Sequence, residues 1–145
     1  MTSPPSLPLP QDPAEPRHWH QIAHAPAPGA VLGQRNTLPD GSATLHELAS
    51  GSDTASAPGA VFRYLLLRSG SGVLAFVNRC AHFGVPLAAR QDLLQFVPHK
   101  RITCNVHYAH YRWSDGLCTS GDCEGESLLP IPVVVEADGT VRVAS

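Results

Sequence analysis

Two short segments of this chain each combine a cysteine with a histidine, and each follows a run of apolar residues. In the first segment Cys80 lies two positions before His82, and in the second Cys104 lies three positions before His107. The spacing predicts that each pair lies in a loop at the end of a strand, and two such loops can face each other. We therefore expect a fold in which two thiols and two imidazoles meet at one bound group.

Two thiolates and two imidazoles have two main chemical uses. One is a tetrahedral Zn²⁺ site, and the other is a [2Fe–2S] centre with two cysteines on one iron and two histidines on the other. Because one residue separates Cys80 from His82, the two side chains have difficulty in reaching one small ion. The two irons of a cluster are easier to reach. The spacing therefore favours the cluster, with each loop giving one ligand to each iron, and a structural zinc domain is the alternative.

The rest of the sequence is dominated by the patterns of short β-strands. Residues 61–67 and 73–77 are rich in β-forming side chains and flank a turn of serine and glycine, which predicts a hairpin. Asp138-Gly139 separates residues 133–136 from residues 140–143 and predicts a second hairpin. Proline and glycine interrupt nearly every potential helix, so we expect an all-β fold.

Composition limits the classes of function that the chain can serve. With 145 residues, 43% of them hydrophobic, the chain can bury the core of one domain. A net charge of −2 gives no basic field for nucleic acid, and no run of about 18 apolar residues predicts a membrane span. The first residues also lack the basic start and apolar stretch of a secretory signal. We therefore expect a cytoplasmic protein, in a compartment where thiols stay reduced.

The prolines are concentrated near the N-terminus. Eight of the fourteen lie within the first 30 residues, and proline both fixes φ and removes a backbone donor. We therefore expect residues 1–17 to form a proline-rich flexible arm and residues 18–145 to form the single folded domain.

The two Cys/His pairs, in this order and at these spacings, resemble those of the Rieske [2Fe–2S] domain of the soluble ferredoxin and ring-hydroxylating oxygenase type. The resemblance runs from about residue 19 to the C-terminus and implies two cluster-binding loops, at about residues 78–87 and 102–128. It also implies one [2Fe–2S] cluster per chain, with the ligands Cys80, His82, Cys104 and His107. Other positions that match the family are Leu87, Trp113, Asp115, Gly116 and Cys118.

The resemblance has implications for fold and role. The fold would be a Rieske-like antiparallel β-sandwich with a small cluster-binding subdomain formed by the two loops. The role would be that of a ferredoxin-like one-electron carrier, which passes electrons between a reductase and an oxygenase or related enzyme. The chain is too short to hold a mononuclear-iron, flavin or nicotinamide domain as well, so we expect an electron-transfer protein rather than an enzyme. A regulatory protein that senses redox state or iron is a further alternative.

The chain also departs from the family pattern. The stretch between the two motifs is longer than usual, and we expect the extra residues, within 89–100, to form a surface protrusion. Residues 91–96 fit either a short helical turn or a strand. In Rieske proteins of cytochrome bc complexes, which resemble this chain, a serine and a tyrosine donate near the cluster; Ala109 replaces the serine, and Tyr111 matches the tyrosine. Since such hydrogen bonds favour the reduced form, we expect a reduction potential toward the low end of the Rieske range.

Overall fold

The computed structural model of the chain describes residues 18–22, 24–49, 61–80, 86–104, 108–121 and 124–144. These residues form strands and short 3₁₀ turns, and no α-helix occurs among them, so the all-β prediction is confirmed. The proposed proline-rich arm, residues 1–17, lies outside the described residues.

The described strands are short, as expected for a chain with frequent turns. They are β1 (Val31–Gln34), β2 (Ala43–Ala49), β3 (Val61–Ser69), β4 (Gly72–Val77), β5 (Gln95–Val97), β6 (Arg101–Thr103), β7 (His110–Arg112), β8 (Cys118–Ser120), β9 (Pro130–Ile131), β10 (Val133–Val135) and β11 (Thr140–Val143). The 3₁₀ turns are Trp19–Gln21, Arg35–Thr37 and Gln91–Leu93.

The strands pair into three antiparallel sheets. The terminal sheet has the order β1-β11-β10, the central sheet has the order β2-β3-β4-β9, and the small sheet has the order β5-β6-β7-β8. Both hairpins predicted from the turn residues are present, β3–β4 in the central sheet and β10–β11 in the terminal sheet. Gly139 in the second hairpin has a φ of 93°, a conformation that glycine adopts without steric cost.

The central sheet is buried on both faces, and β3 shows this most directly. Phe62 and Leu66 pack into one apolar core with residues of the terminal sheet, such as Val141. Leu65 and Leu67 point to the opposite face and pack into a second core with residues of the small sheet. A continuous apolar run in a strand is the pattern of a strand covered on both sides. Each fully buried leucine contributes about 1.5–3 kcal/mol to the stability of this arrangement.

The stretch from residue 89 to residue 100 lies largely at the surface, as expected, but it forms the ordered edge of the small sheet rather than a protrusion. Gln91–Leu93 forms a 3₁₀ turn, and β5 then pairs with β6 as the edge strand of the small sheet, so both interpretations of residues 91–96 are correct in succession. The buried side chain of Leu94 anchors the stretch in the second core. The side chain of Gln91 accepts a hydrogen bond from the backbone of Leu45 and donates one to that of Ala43, which ties the stretch to the edge of β2.

None of the helical segments in the described part of the chain has the length and apolar character that crossing a membrane requires.

Candidate metal centre

Cys80 lies at the start of the first predicted loop, three residues after the end of β4. Its side chain is buried, with 2% of the residue exposed, and belongs to the core between the central and small sheets. Because β4 is held by β3 on one side and β9 on the other, the backbone that leads to Cys80 has a fixed position. This rigid support is what a ligand on a loop needs.

The two ends of the first loop are joined by the buried side chain of Asn78. Its Oδ1 accepts a hydrogen bond from the backbone N–H of Leu87 at 2.8 Å, and its Nδ2 donates to the carbonyl of Ala88 at 3.2 Å. Its own N–H donates to the carbonyl of Arg63 in β3. The loop is therefore closed at its base and attached to the central sheet. Sequence reasoning missed this residue, although a polar side chain directly after an apolar strand is a usable signal.

Cys104 opens the second loop, directly after β6, and is fully buried. The N–H of Cys104 donates to the carbonyl of Ala109 at 2.8 Å, and the N–H of Tyr108 donates to the carbonyl of Cys104 at 2.8 Å. These two backbone hydrogen bonds close the loop within six residues. The second cysteine is thus presented, like the first, by a loop that is closed at its base.

The structure brings the two cysteines into the same apolar core, together with Tyr111 of β7. The Tyr111 hydroxyl lies 3.3 Å from the Sγ of Cys80. Once Cys80 has lost its proton to bind a metal, the hydroxyl is the donor of this pair and the sulfur is the acceptor. A hydroxyl that donates to a ligand sulfur stabilises negative charge there, so this contact fits a metal centre with cysteine ligands.

The two histidines, His82 and His107, lie outside the described residues. Among the residues that the structure does describe, no three His, Cys, Asp or Glu side chains lie close enough together to hold a metal ion. The set of four ligands therefore stays a prediction. Burial of Cys80 and Cys104 in one core is consistent with the two cysteine ligands.

A further segment packs against the second loop from the side of β8. Gly121, directly after β8, has a φ of 107°, and a Cβ added there would lie 2.9 Å from the Cβ of Ala109. The backbone N–H of Gly125 donates to the carbonyl of Cys118, which holds residues 124–126 against the strand. Cys118 is buried and its Sγ donates to the carbonyl of Ser120, as suits a structural cysteine.

The described strands form a small all-β domain with two buried cysteines, Cys80 and Cys104, in one apolar core. A family model described as "Rieske [2Fe-2S] domain" matches residues 31–142. Because this match spans most of the sequence, the chain belongs to the Rieske [2Fe–2S] domain family, and a [2Fe–2S] cluster is the group that such a domain binds. Of the two hypotheses from the sequence, membership of this family supports the [2Fe–2S] cluster and not a structural zinc site.

Solved structures with the same fold include both small and large proteins. The ferredoxin of carbazole 1,9a-dioxygenase from Nocardioides aromaticivorans IC177 is 21% identical, with a TM-score of 0.59; the match covers 81% of this chain and 98% of that one. The terminal oxygenase of carbazole 1,9a-dioxygenase from Novosphingobium sp. KA1 is 23% identical, with a TM-score of 0.59; the match covers 79% of this chain and 29% of that one. At these identities the likeness shows the fold. Comparison with curated proteins finds no match.

Proposed function

We propose that this protein is a one-electron carrier of the ferredoxin type, which takes electrons from a reductase and passes them to an oxygenase. The observation that carries the proposal is one of size. The matched region amounts to nearly the whole of the Nocardioides ferredoxin but to less than a third of the Novosphingobium terminal oxygenase. The matched region thus corresponds to nearly a whole carrier and to only one part of the oxygenase. We infer an electron-transfer protein rather than an enzyme.

We propose that Cys80 and Cys104 bind one iron of a single [2Fe–2S] cluster and that His82 and His107 bind the other. The cluster supplies the storage of one electron. The chain supplies the setting: the closed loops hold the ligands in position, and the Tyr111 hydroxyl donates to the sulfur of Cys80. Burial of both sulfur ligands excludes water from that side, which leaves the histidine side for exchange of electrons with a partner.

The proposed partners are proteins. One related solved structure is titled as a reduced complex between oxygenase and ferredoxin in carbazole 1,9a-dioxygenase, and we propose the same type of assembly for this chain. The net charge of −2 argues against a nucleic-acid partner. We place the protein in the cytoplasm, where a reducing environment keeps cysteine ligands available.

The experiment that tests the carrier role uses holoprotein purified without oxygen. Iron and acid-labile sulfide are first measured, and the expected ratio is about two of each per chain. The reduced protein is then mixed, in a stopped-flow instrument, with each Rieske-type terminal oxygenase of the source organism, purified singly. Reoxidation by at least one oxygenase on the time scale of turnover supports the proposal. A loaded cluster that none of the oxygenases can oxidise contradicts the carrier role and leaves membership of the family untouched.

A further inference from the structure

Tyr108, in the second loop, has a backbone conformation that disfavours its own side chain. Its φ is 60°, in the left-handed region, where a bulky residue carries a steric cost and glycine does not. Two backbone hydrogen bonds hold this conformation, because the N–H of Tyr108 donates to Cys104 and the next residue, Ala109, accepts from Cys104. The turn therefore demands a positive φ at this position, and the chain meets the demand with a tyrosine.

The side chain of Tyr108 also gains little from the fold. The residue is 62% exposed, the most exposed large hydrophobic residue in the described part of the chain, while Cys104 and Ala109 on either side are buried. Within the described residues, neither the ring nor the hydroxyl of Tyr108 has a hydrogen-bond or ring partner. A strained and exposed aromatic side chain that has no such partner in the described part of the chain points to a role outside the fold.

The described residues around Tyr108 are mostly small. The described residues that lie beside it in the chain or across the sheet from its neighbours are Ala109, His110, Ser120 and Gly121. The arginine nearest along the chain, Arg112, is paired with Asp115. The first loop is followed by a second such pair, Arg90 with Asp92. A partner that binds here therefore meets an aromatic ring beside small residues, with the exposed Glu124, whose N–H donates to the carbonyl of Gly121, at their edge.

We propose that Tyr108 is the aromatic anchor by which the oxygenase docks, with the ring in an apolar cleft of the oxygenase and the hydroxyl donating to an acceptor at its edge. The inference rests on the proposed function, since Tyr108 directly follows His107, the proposed histidine ligand. A protein that takes an electron from that side of the cluster must approach this residue. Tyrosine suits the task because it offers a large contact area at a low cost in conformational entropy.

The test compares two substitutions of Tyr108 with one control in the reduced holoprotein. Y108G removes the ring and relieves the strain, Y108F keeps the ring and removes the hydroxyl, and V134A trims an exposed apolar side chain on the terminal sheet. Each variant is oxidised by ferricyanide, which needs no docking surface, and by the terminal oxygenase that reoxidises the wild type fastest. The melting temperature and the dependence of the oxygenase reaction on salt concentration are measured alongside.

We expect Y108G to melt at a higher temperature than the wild type and to react with ferricyanide at an unchanged rate. Its second-order rate constant with the oxygenase should fall at least about tenfold, the usual consequence of losing an anchor residue. Y108F should fall less, by about threefold, and V134A should match the wild type. The factor by which Y108G slows the reaction should be the same at low and high salt, because the lost ring carries no charge.

A Y108G protein that reacts with the oxygenase within twofold of the wild-type rate overturns the anchor role and leaves the carrier role standing. A fall in the ferricyanide rate that equals the fall with the oxygenase also overturns it, since the tyrosine then acts on the cluster and not on docking. If no terminal oxygenase reoxidises the wild type, both the carrier role and the anchor role are overturned.

Discussion

The Tyr111 hydroxyl lies 3.3 Å from the Sγ of Cys80, in a core from which water is excluded. Reduction adds negative charge to the cluster and strengthens a hydrogen bond to a ligand sulfur by about 1–2 kcal/mol. We therefore expect Y111F to lower the midpoint potential by about 40–80 mV, the electrical equivalent for one electron. Protein-film voltammetry measures this change directly. The potential of the wild type should lie between about −150 and +100 mV, because Ala109 offers no second hydroxyl.

Tyr64 provides the matched control for this experiment. It is also buried, but its hydroxyl donates to the carbonyl of Leu32, in the core on the other face of the central sheet. Y64F should leave the potential where it is. Equal potentials for Y111F and Y64F would show that the contact with Cys80 has no influence on the cluster.

Asn78 joins the two ends of the first loop, and its replacement by alanine leaves two backbone groups, at Leu87 and Ala88, without their hydrogen bonds. The free energy of unfolding should fall by about 2–4 kcal/mol. Loss of iron to an added chelator should become faster, because the loop that presents Cys80 is no longer closed. Gln91, whose side chain also bonds to two backbone groups but in β2 rather than in the first loop, is the control. Q91A should destabilise the fold and leave the chelation rate, corrected for global unfolding, near that of the wild type.

Gly121 and Gly125 differ in their surroundings but not in the sign of φ. A Cβ at Gly121 would lie 2.9 Å from Ala109, whereas a Cβ at Gly125 would meet nothing within 4 Å. Alanine at Gly125 therefore costs only the strain of a positive φ, about 1 kcal/mol. G121A should cost clearly more and should shift the visible and electron paramagnetic resonance spectra of the cluster, since it pushes on the second loop. Identical melting temperatures and spectra for the two variants would rule out the close approach.

The ion pair between Asp115 and Arg112 makes the stability of the β7–β8 turn depend on pH. The Arg112 guanidinium, with the N–H of Leu117 as a second donor, lowers the pKa of Asp115 to about 2. Since the folded pKa lies below the ordinary value near 3.9, the stabilisation is complete above about pH 5 and is lost as the pH falls toward 2. The difference in melting temperature between the wild type and D115N should therefore shrink between pH 5 and pH 2.5. A difference that stays constant over that range would mean that the pKa of Asp115 is not lowered.

Much of this architecture could be predicted from local sequence, because the responsible signals are local. The Asp138-Gly139 turn and the strands on either side of it lie within about ten residues, and the strand ends before Cys80 and Cys104 follow from apolar runs. The hydrogen bond between Asn78 and Leu87 could not be predicted in this way, since it depends on where the chain returns after the first loop. The left-handed backbone of Tyr108 likewise follows from the closure of a loop and contradicts the preference of the residue itself.

The segment from 89 to 100 was predictable in part. Its departure from the family length indicates a surface position, which most of its residues have, but length does not show that the segment joins a sheet. The apolar side chain of Leu94 carries the stretch into the core, and pairing of β5 with β6 satisfies its backbone.

Because β3 is buried on both faces, its residues should accept few substitutions during evolution. From Tyr64 to Leu67 each successive side chain is enclosed by one apolar layer or the other, so a substitution that changes the volume at any of these positions is destabilising unless a neighbour compensates. Divergence among descendants of this chain should therefore be slow at these four positions and rapid in solvent-facing turns such as that around Gly70. The sequence of β3 should then identify relatives of this chain more reliably than the identity over the whole sequence does.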